Sequence, residues 1–215
     1  MSQPMSLSMS NAAHEAAARW RPRVSPPASE VDLAAAEQAA ADLLRALGLD
    51  LDTDGMAETP RRLAAAYHEL TSGPDVDLTT FPNTEGYDEL VLVANIPVRS
   101  ICEHHMLPFV GVAHVGYLPD ERILGLSKFA RLVDLVARRP QTQERLTTQV
   151  AEQLTTHLHP RGVGVVIEAE HTCMSLRGAR APGTRTVTSA LRGSLRDAAA
   201  RAEFLSLARE QGGRP

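Results

Sequence analysis

Lysine is almost missing from this chain: all but one of its 22 basic residues are arginine, and Lys128 stands alone. Because a lysine ammonium is a compact point charge and a guanidinium a rigid fork, the exception marks either a site that needs a point charge or an ordinary surface position. Excess positive charge is missing too. A formal charge of −4 argues against a general nucleic-acid binder, which needs a basic footprint to displace counterions from phosphates. No apolar run approaches the roughly 20 residues a bilayer requires, and the N-terminus lacks a basic start followed by an apolar core. A soluble, cytoplasmic protein with no membrane partner is therefore expected. With two cysteines, Cys102 and Cys173, there is no disulfide framework and no pair of Cys-x-x-Cys zinc knuckles. One disulfide is conceivable, but a cytosolic chain argues against it.

What is present is enough apolar content, 43% of 215 residues, for one good core but not comfortably for two. Residues 1–29 are rich in Ser, Pro and Ala and read as a disordered tail with at most a short helical patch around 12–20. Residues 30–73 read as a helical segment and 74–215 as the core, the two forming one folded domain. Helical spacing runs from Val31 to Leu47. A second helix opens at Thr59, read as the N-cap, with Pro60 at the first helical position and Arg61 and Arg62 in the first turn. Apolar, β-branched runs at Leu90–Ile96, closed by Pro97, and at Val110–Leu118 predict strands, and a short third strand ends at Gly125-Leu126-Ser127. Ser127 reads as the cap of a helix through Arg139, and another helix spans about Gln143 to Leu158. GVGVVIEAEHTCMSL and TRTVTSAL then read as strands, with a last helix near Ala198 to Ala208. The pattern predicts an α+β domain, an antiparallel sheet with helices on one face.

Chemistry concentrates in two short segments. In Cys102-Glu103-His104-His105 a thiol and an imidazole lie three apart, so one turn can offer both to a metal. A buried cysteine beside a structural histidine has the same spacing. In His171-Thr172-Cys173 the outer residues share a face if the segment is a strand. Together Cys102, His105 and Cys173 make three ligands suited to zinc with no fourth in the pattern, which leaves a position for water and favours hydrolysis over a structural role. His104 and His171 are left as imidazoles beside the metal, able to move protons near neutral pH.

CEHH, GLSKFAR, RRPQTQERLT, EAEHTCMSLRG and TRTVTSALRG, in this order, resemble the motifs of GTP cyclohydrolase I over roughly Thr59 to Gly193. The resemblance implies a tunnelling fold in which subunit sheets join into a barrel, and a homodecamer with active sites at subunit boundaries. It implies Zn2+ on Cys102, His105 and Cys173, with His104 and His171 catalytic. In the implied reaction water adds to C8 of GTP while His171 protonates N7, and the ring opens with loss of formate. His104 helps open the ribose, Ser127 serves the later rearrangement, and 7,8-dihydroneopterin triphosphate results, the first step towards tetrahydrofolate and other pterins. Glu144 matches the guanine reader, and Gln143 a contact to the same nucleoside. Lys128, Arg131 and Arg177 match triphosphate-binding positions, joined by Arg62 from another subunit. Val112 departs from the pattern, standing where many members have lysine.

Other readings of the same residues are a ring-opening-only purine nucleotide hydrolase and a catalytically silent, zinc-stabilised assembly protein. A tunnelling-fold nitrile reductase would use a cysteine nucleophile and a nicotinamide cofactor, whereas here Cys173 is paired with a Cys-x-x-His element.

Overall fold

The computed structural model describes residues 23–24, 30–73 and 75–212. The expected tail and its helical patch lie outside the described residues, apart from the two-residue strand β1, Arg23–Val24, whose backbone pairs with β2, Val76–Asp77.

Two helices come first. Helix α1, Leu33–Ala46, is capped by Asp32, whose carboxylate accepts from Ala35 N at 2.9 Å, and ends at Gly48 with φ of 79°. Helix α2 spans Thr59–Thr71, with Glu58 at its N-cap. Thr59 is thus its first residue rather than its cap, and its hydroxyl donates to Gly55 O at 3.5 Å. Pro60 fits one position further in, because the N–H groups of the first turn have no intrahelical partner to lose.

The main sheet has the order β7-β4-β5-β8-β9, made of β4 Val91–Cys102, β5 Leu107–Leu118, β7 Pro140–Gln141, β8 Gly162–His171 and β9 Thr186–Gly193. All pairings are antiparallel except β4 with β7, which are parallel and matched at Ile101↔Pro140 and Cys102↔Gln141. β3, Thr80–Pro82, and β6, Arg122–Leu124, form a small separate ribbon. β4 does not stop at Pro97 as the sequence suggests. It continues to Cys102, since β7 covers only its last two residues and a proline missing its N–H is tolerated where a strand lies at an edge.

Helices α3, Ser127–Ala137, and α4, Gln143–Leu158, cover one face of the sheet, as expected for an α+β domain. Phe129, Leu132, Leu146, Val150 and Leu154 meet Ala113, Val115, Val165 and Ile167 there in one core, all fully buried. Each of the Phe, Leu, Val and Ile side chains among them contributes about 1.5–3 kcal/mol relative to exposure. The last helix, α6, Ala198–Gly212, is longer than predicted and packs on the opposite face. Phe204 enters a recess made by two glycines: a Cβ at Gly116 or Gly164 would come within 3.1 or 2.7 Å of its ring. Those glycines are required by close approach, not by backbone conformation. No helix among the described residues is long and apolar enough to cross a membrane.

Candidate active site and metal centre

The far end of the sheet gathers the chemistry. β4 delivers Cys102 at its last position, and the turn Glu103–Met106 to β5 carries both histidines. That turn is tightened by Met106 N donating to Cys102 O at 2.8 Å, with Met106 at φ of 53°. Tyr67 of α2 donates from its hydroxyl to Met106 O at 2.8 Å, tying the helical segment to the turn.

Cys173 arrives differently from the sequence-based expectation. β8 ends at His171, and Cys173 lies in a one-turn helix, α5, Thr172–Ser175, rather than two along the strand. The break has a local cause: Leu176 N donates to Thr172 O at 3.0 Å, closing the helical turn, and the Thr172 hydroxyl donates to Pro108 O at 2.6 Å, pinning its start to β5. The turn still brings its thiol to the first cysteine. The Sγ atoms of Cys102 and Cys173 and a ring nitrogen of His105 all lie within 4.8 Å of one another. Cys102 Sγ is 4.0 Å from His105 Nδ1 and 3.9 Å from His104 Nδ1. Both cysteines are buried and unbridged, while His104 and His105 are exposed. Burial pushes the Cys173 thiol up, and the neighbouring Cys102 pushes it further. Two buried thiols facing each other beside an imidazole fit a soft cation, whose charge would offset that cost. The cluster can therefore hold a metal ion.

His171 stands beside it as the last residue of β8, opposite Phe109 in the register. Its ring stacks on Phe109 with centroids 4.5 Å apart and planes at 12°. Nε2 meets Gln143 Oε1 at 2.9 Å. Burial lowers the pKa of His171, partly opposed by the charge of Glu144, which favours the neutral ring.

Gln143 and Glu144 open α4, which Thr142 caps by accepting from Arg145 N at 3.3 Å. Gln143 is buried and Glu144 exposed. Exposed Ser127, half-buried Lys128 and exposed Arg131 open α3. Leu126, not Ser127, is its N-cap: Lys128 N donates to Gly125 O at 2.8 Å, so the chain is already turning before the serine. The Ser127 hydroxyl is not spent as a cap. Arg177 follows α5, close enough to bias the Cys173 thiol electrostatically. Arg62 lies on α2, and its guanidinium donates to Gly55 O at 3.1 Å, away from the metal cluster's own contacts. Val112 lies on the sheet face opposite Phe109 and His171, between Pro97 and Glu168 in the register.

Sequence reasoning missed Phe109, Glu103 and Arg145. Arg145 donates through Nε to Gln141 Oε1 at 2.7 Å and through Nη2 to Pro140 O at 2.9 Å. The same Nη2 donates to Glu103 Oε2, and the other Glu103 oxygen is 4.0 Å from His104 Nε2. The signal was present as charge: Glu103 and Arg145 are acid and base inside two motif segments, but only the fold shows that they meet.

A family model described as GTP cyclohydrolase I matches residues 36–209, beyond the stretch the motifs cover on both sides. The chain is 58% identical over 185 residues to GTP cyclohydrolase 1 of Streptomyces avermitilis, covering 83% of this chain and 91% of that protein. It is 57% identical over 182 residues to GTP cyclohydrolase 1 of Mycobacteroides abscessus, covering 82% and 89%. A solved structure of the archaeosine synthase QueF-Like in the apo form overlays with a TM-score of 0.41 at 20% identity, over 48% of this chain and 93% of that one, too distant to inform the site. With its metal-capable triad, its two flanking imidazoles and a family match over most of its length, this chain belongs to the GTP cyclohydrolase I family.

Proposed function

We propose that the protein converts GTP to 7,8-dihydroneopterin triphosphate with release of formate, as a zinc enzyme in the cytoplasm. The observation that carries this is the Cys102, His105 and Cys173 cluster flanked by His104 and His171, in a chain of this family. Two thiols and one imidazole suit zinc and leave a fourth position open, the arrangement of catalytic rather than structural sites. When bound, zinc supplies Lewis acidity and a hydrolytic nucleophile at neutral pH.

The remaining work falls to side chains. His171 is positioned against Phe109 to exchange a proton with the purine at N7 as C8 is attacked, and His104, exposed beside Cys102, serves the ribose. Glu144 accepts from guanine N1 and its exocyclic amine, a bidentate reading that adenine cannot reproduce. Lys128 in the first turn of α3 and Arg131 just after it, with Arg177, take the triphosphate, helped by the partial positive charge of the helix N-terminus. Ser127 assists the later rearrangement. Arg62 completes the phosphate site from another copy of the chain in a homo-oligomer, read as a decamer. Within each copy, residues 30–73 and the core from 74 onwards act as one folded unit.

The test is to incubate zinc-loaded protein with GTP and measure formate and the pterin product, with a chelated control. Both products, lost on chelation and restored by zinc, are expected. Formate alone would identify a ring-opening hydrolase, and neither product would identify a silent assembly protein.

A further inference from the structure

Gln143 is a buried residue whose side-chain amide has partners inside the protein at both ends. Its Nε2 lies 3.0 Å from Ile167 O, 2.9 Å from Thr186 O and 3.1 Å from Thr188 Oγ1. Carbonyl oxygens only accept, so the NH2 must face Ile167 and Thr186, which fixes the orientation of the amide and turns Oε1 towards His171. The two threonines support the same assignment. The Thr147 hydroxyl donates to Gln143 O at 2.7 Å, so in its 2.6 Å contact with Thr188 it accepts, and Thr188 Oγ1 keeps a lone pair for the Gln143 amide.

An amide oxygen cannot donate. His171 Nε2, 2.9 Å from Gln143 Oε1, must therefore carry the proton, and in the neutral ring Nδ1 is bare. Nδ1 has no hydrogen-bond partner among the described residues. The Phe109 stack fixes the plane of the ring and Gln143 its rotation within that plane.

We propose that Gln143 is a positioning residue that holds His171 as the Nε2–H tautomer, which leaves Nδ1 as the ring nitrogen with a lone pair available to the substrate. The Gln143 NH2 group does not itself read the nucleoside, because its two N–H donors are engaged within the chain. This assignment deepens the cyclohydrolase reading and rests on it for its catalytic part alone.

Ring nitrogen spectra of zinc-loaded protein carrying 15N-histidine test the geometry without any variant. The His171 signals, assigned by their loss in His171→Gln, should show a protonated Nε2 and a bare Nδ1 at neutral pH. A protonated Nδ1 with bare Nε2, or an even mixture, overturns the proposal. Gln143→Met removes the acceptor and should mix the tautomers, lowering kcat about 100-fold while KM for GTP stays within about threefold. Gln143→Glu keeps an acceptor for Nε2–H but loses the NH2 that Ile167 O and Thr186 O accept from, so it should keep the single tautomer and recover part of kcat while melting below wild type. A raised KM with unchanged kcat in Gln143→Met would instead make Gln143 a substrate contact. Should wild-type protein fail to turn over GTP, the cyclohydrolase reading falls, while the spectra still decide the tautomer.

Discussion

At the scale of single residues, the proposed division is between Cys102, His105 and Cys173, which would hold the metal, and His104 and His171, which would react. Cys173→Ala should lose the metal, seen as a fall in zinc per chain by elemental analysis, because two remaining ligands with one buried thiol hold zinc poorly. His171→Ala should keep its zinc and lose about 10²- to 10⁴-fold in kcat. Zinc retained in Cys173→Ala would remove that residue from the ligand set. His114 poses a separate question. It is fully buried on the face under α6, and neither ring nitrogen has a partner. Burial lowers its pKa below 6.5, and Glu168 on β8 opposes this only in part. The unfolded chain therefore takes the proton first, so stability is intact above about pH 6.5 and falls as the pH drops from there through the folded-state pKa. His114→Leu should melt higher than wild type, by a margin that widens on acidification. A margin independent of pH, by calorimetry, would contradict this. The ligand pattern was legible because Cys-x-x-His and His-x-Cys are local spacings. The partners of Gln143 and the neighbour of Glu103 were not, because hydrogen bonds between Gln143 and residues such as Ile167 or Thr188 depend on how α4 lies across β8 and β9.

At the scale of elements, the start of α4 braces both halves of the site. Gln143 reaches His171, and one turn of contacts later Arg145 holds Glu103 in the turn that carries His104 and His105. Arg145→Ala should therefore lower kcat roughly 10- to 100-fold with zinc content unchanged, since small misplacements of catalytic groups are costly. Loss of zinc alongside activity would show that Arg145 supports the ligands themselves. Most of these elements were readable: α4 begins at Gln143 as expected, and both long strands of the hairpin lie where β-branched residues cluster. Their ends were harder. Thr59 and Ser127 are good capping residues by composition, yet each falls one position inside its helix because the preceding backbone has already turned. Cys173 was read on a strand because the β-branched run masks the turn that begins at Thr172.

At the scale of the whole molecule, the sheet ends in open edges. β9 has no partner on its outer side among the described residues, and β7 covers the outer side of β4 only at the last two residues of that strand. Open edges invite pairing with another chain. Light scattering should give a mass that is a multiple of 23.2 kDa, and a monomer at micromolar concentration would contradict the proposed homo-oligomer. The α+β class was legible from element order. The packing of α6 on the opposite face was not, because glycines at 116 and 164 announce a recess only once Phe204 is known to fill it. One further consequence follows from Lys128, the only lysine, set in the first turn of a helix whose Phe129 and Leu132 are fully buried. A lysine-specific endoprotease has a single place to cut, and an extended chain is needed to enter its cleft. The rate at which the chain splits in two therefore clocks every opening that exposes α3, and bound triphosphate should slow that clock.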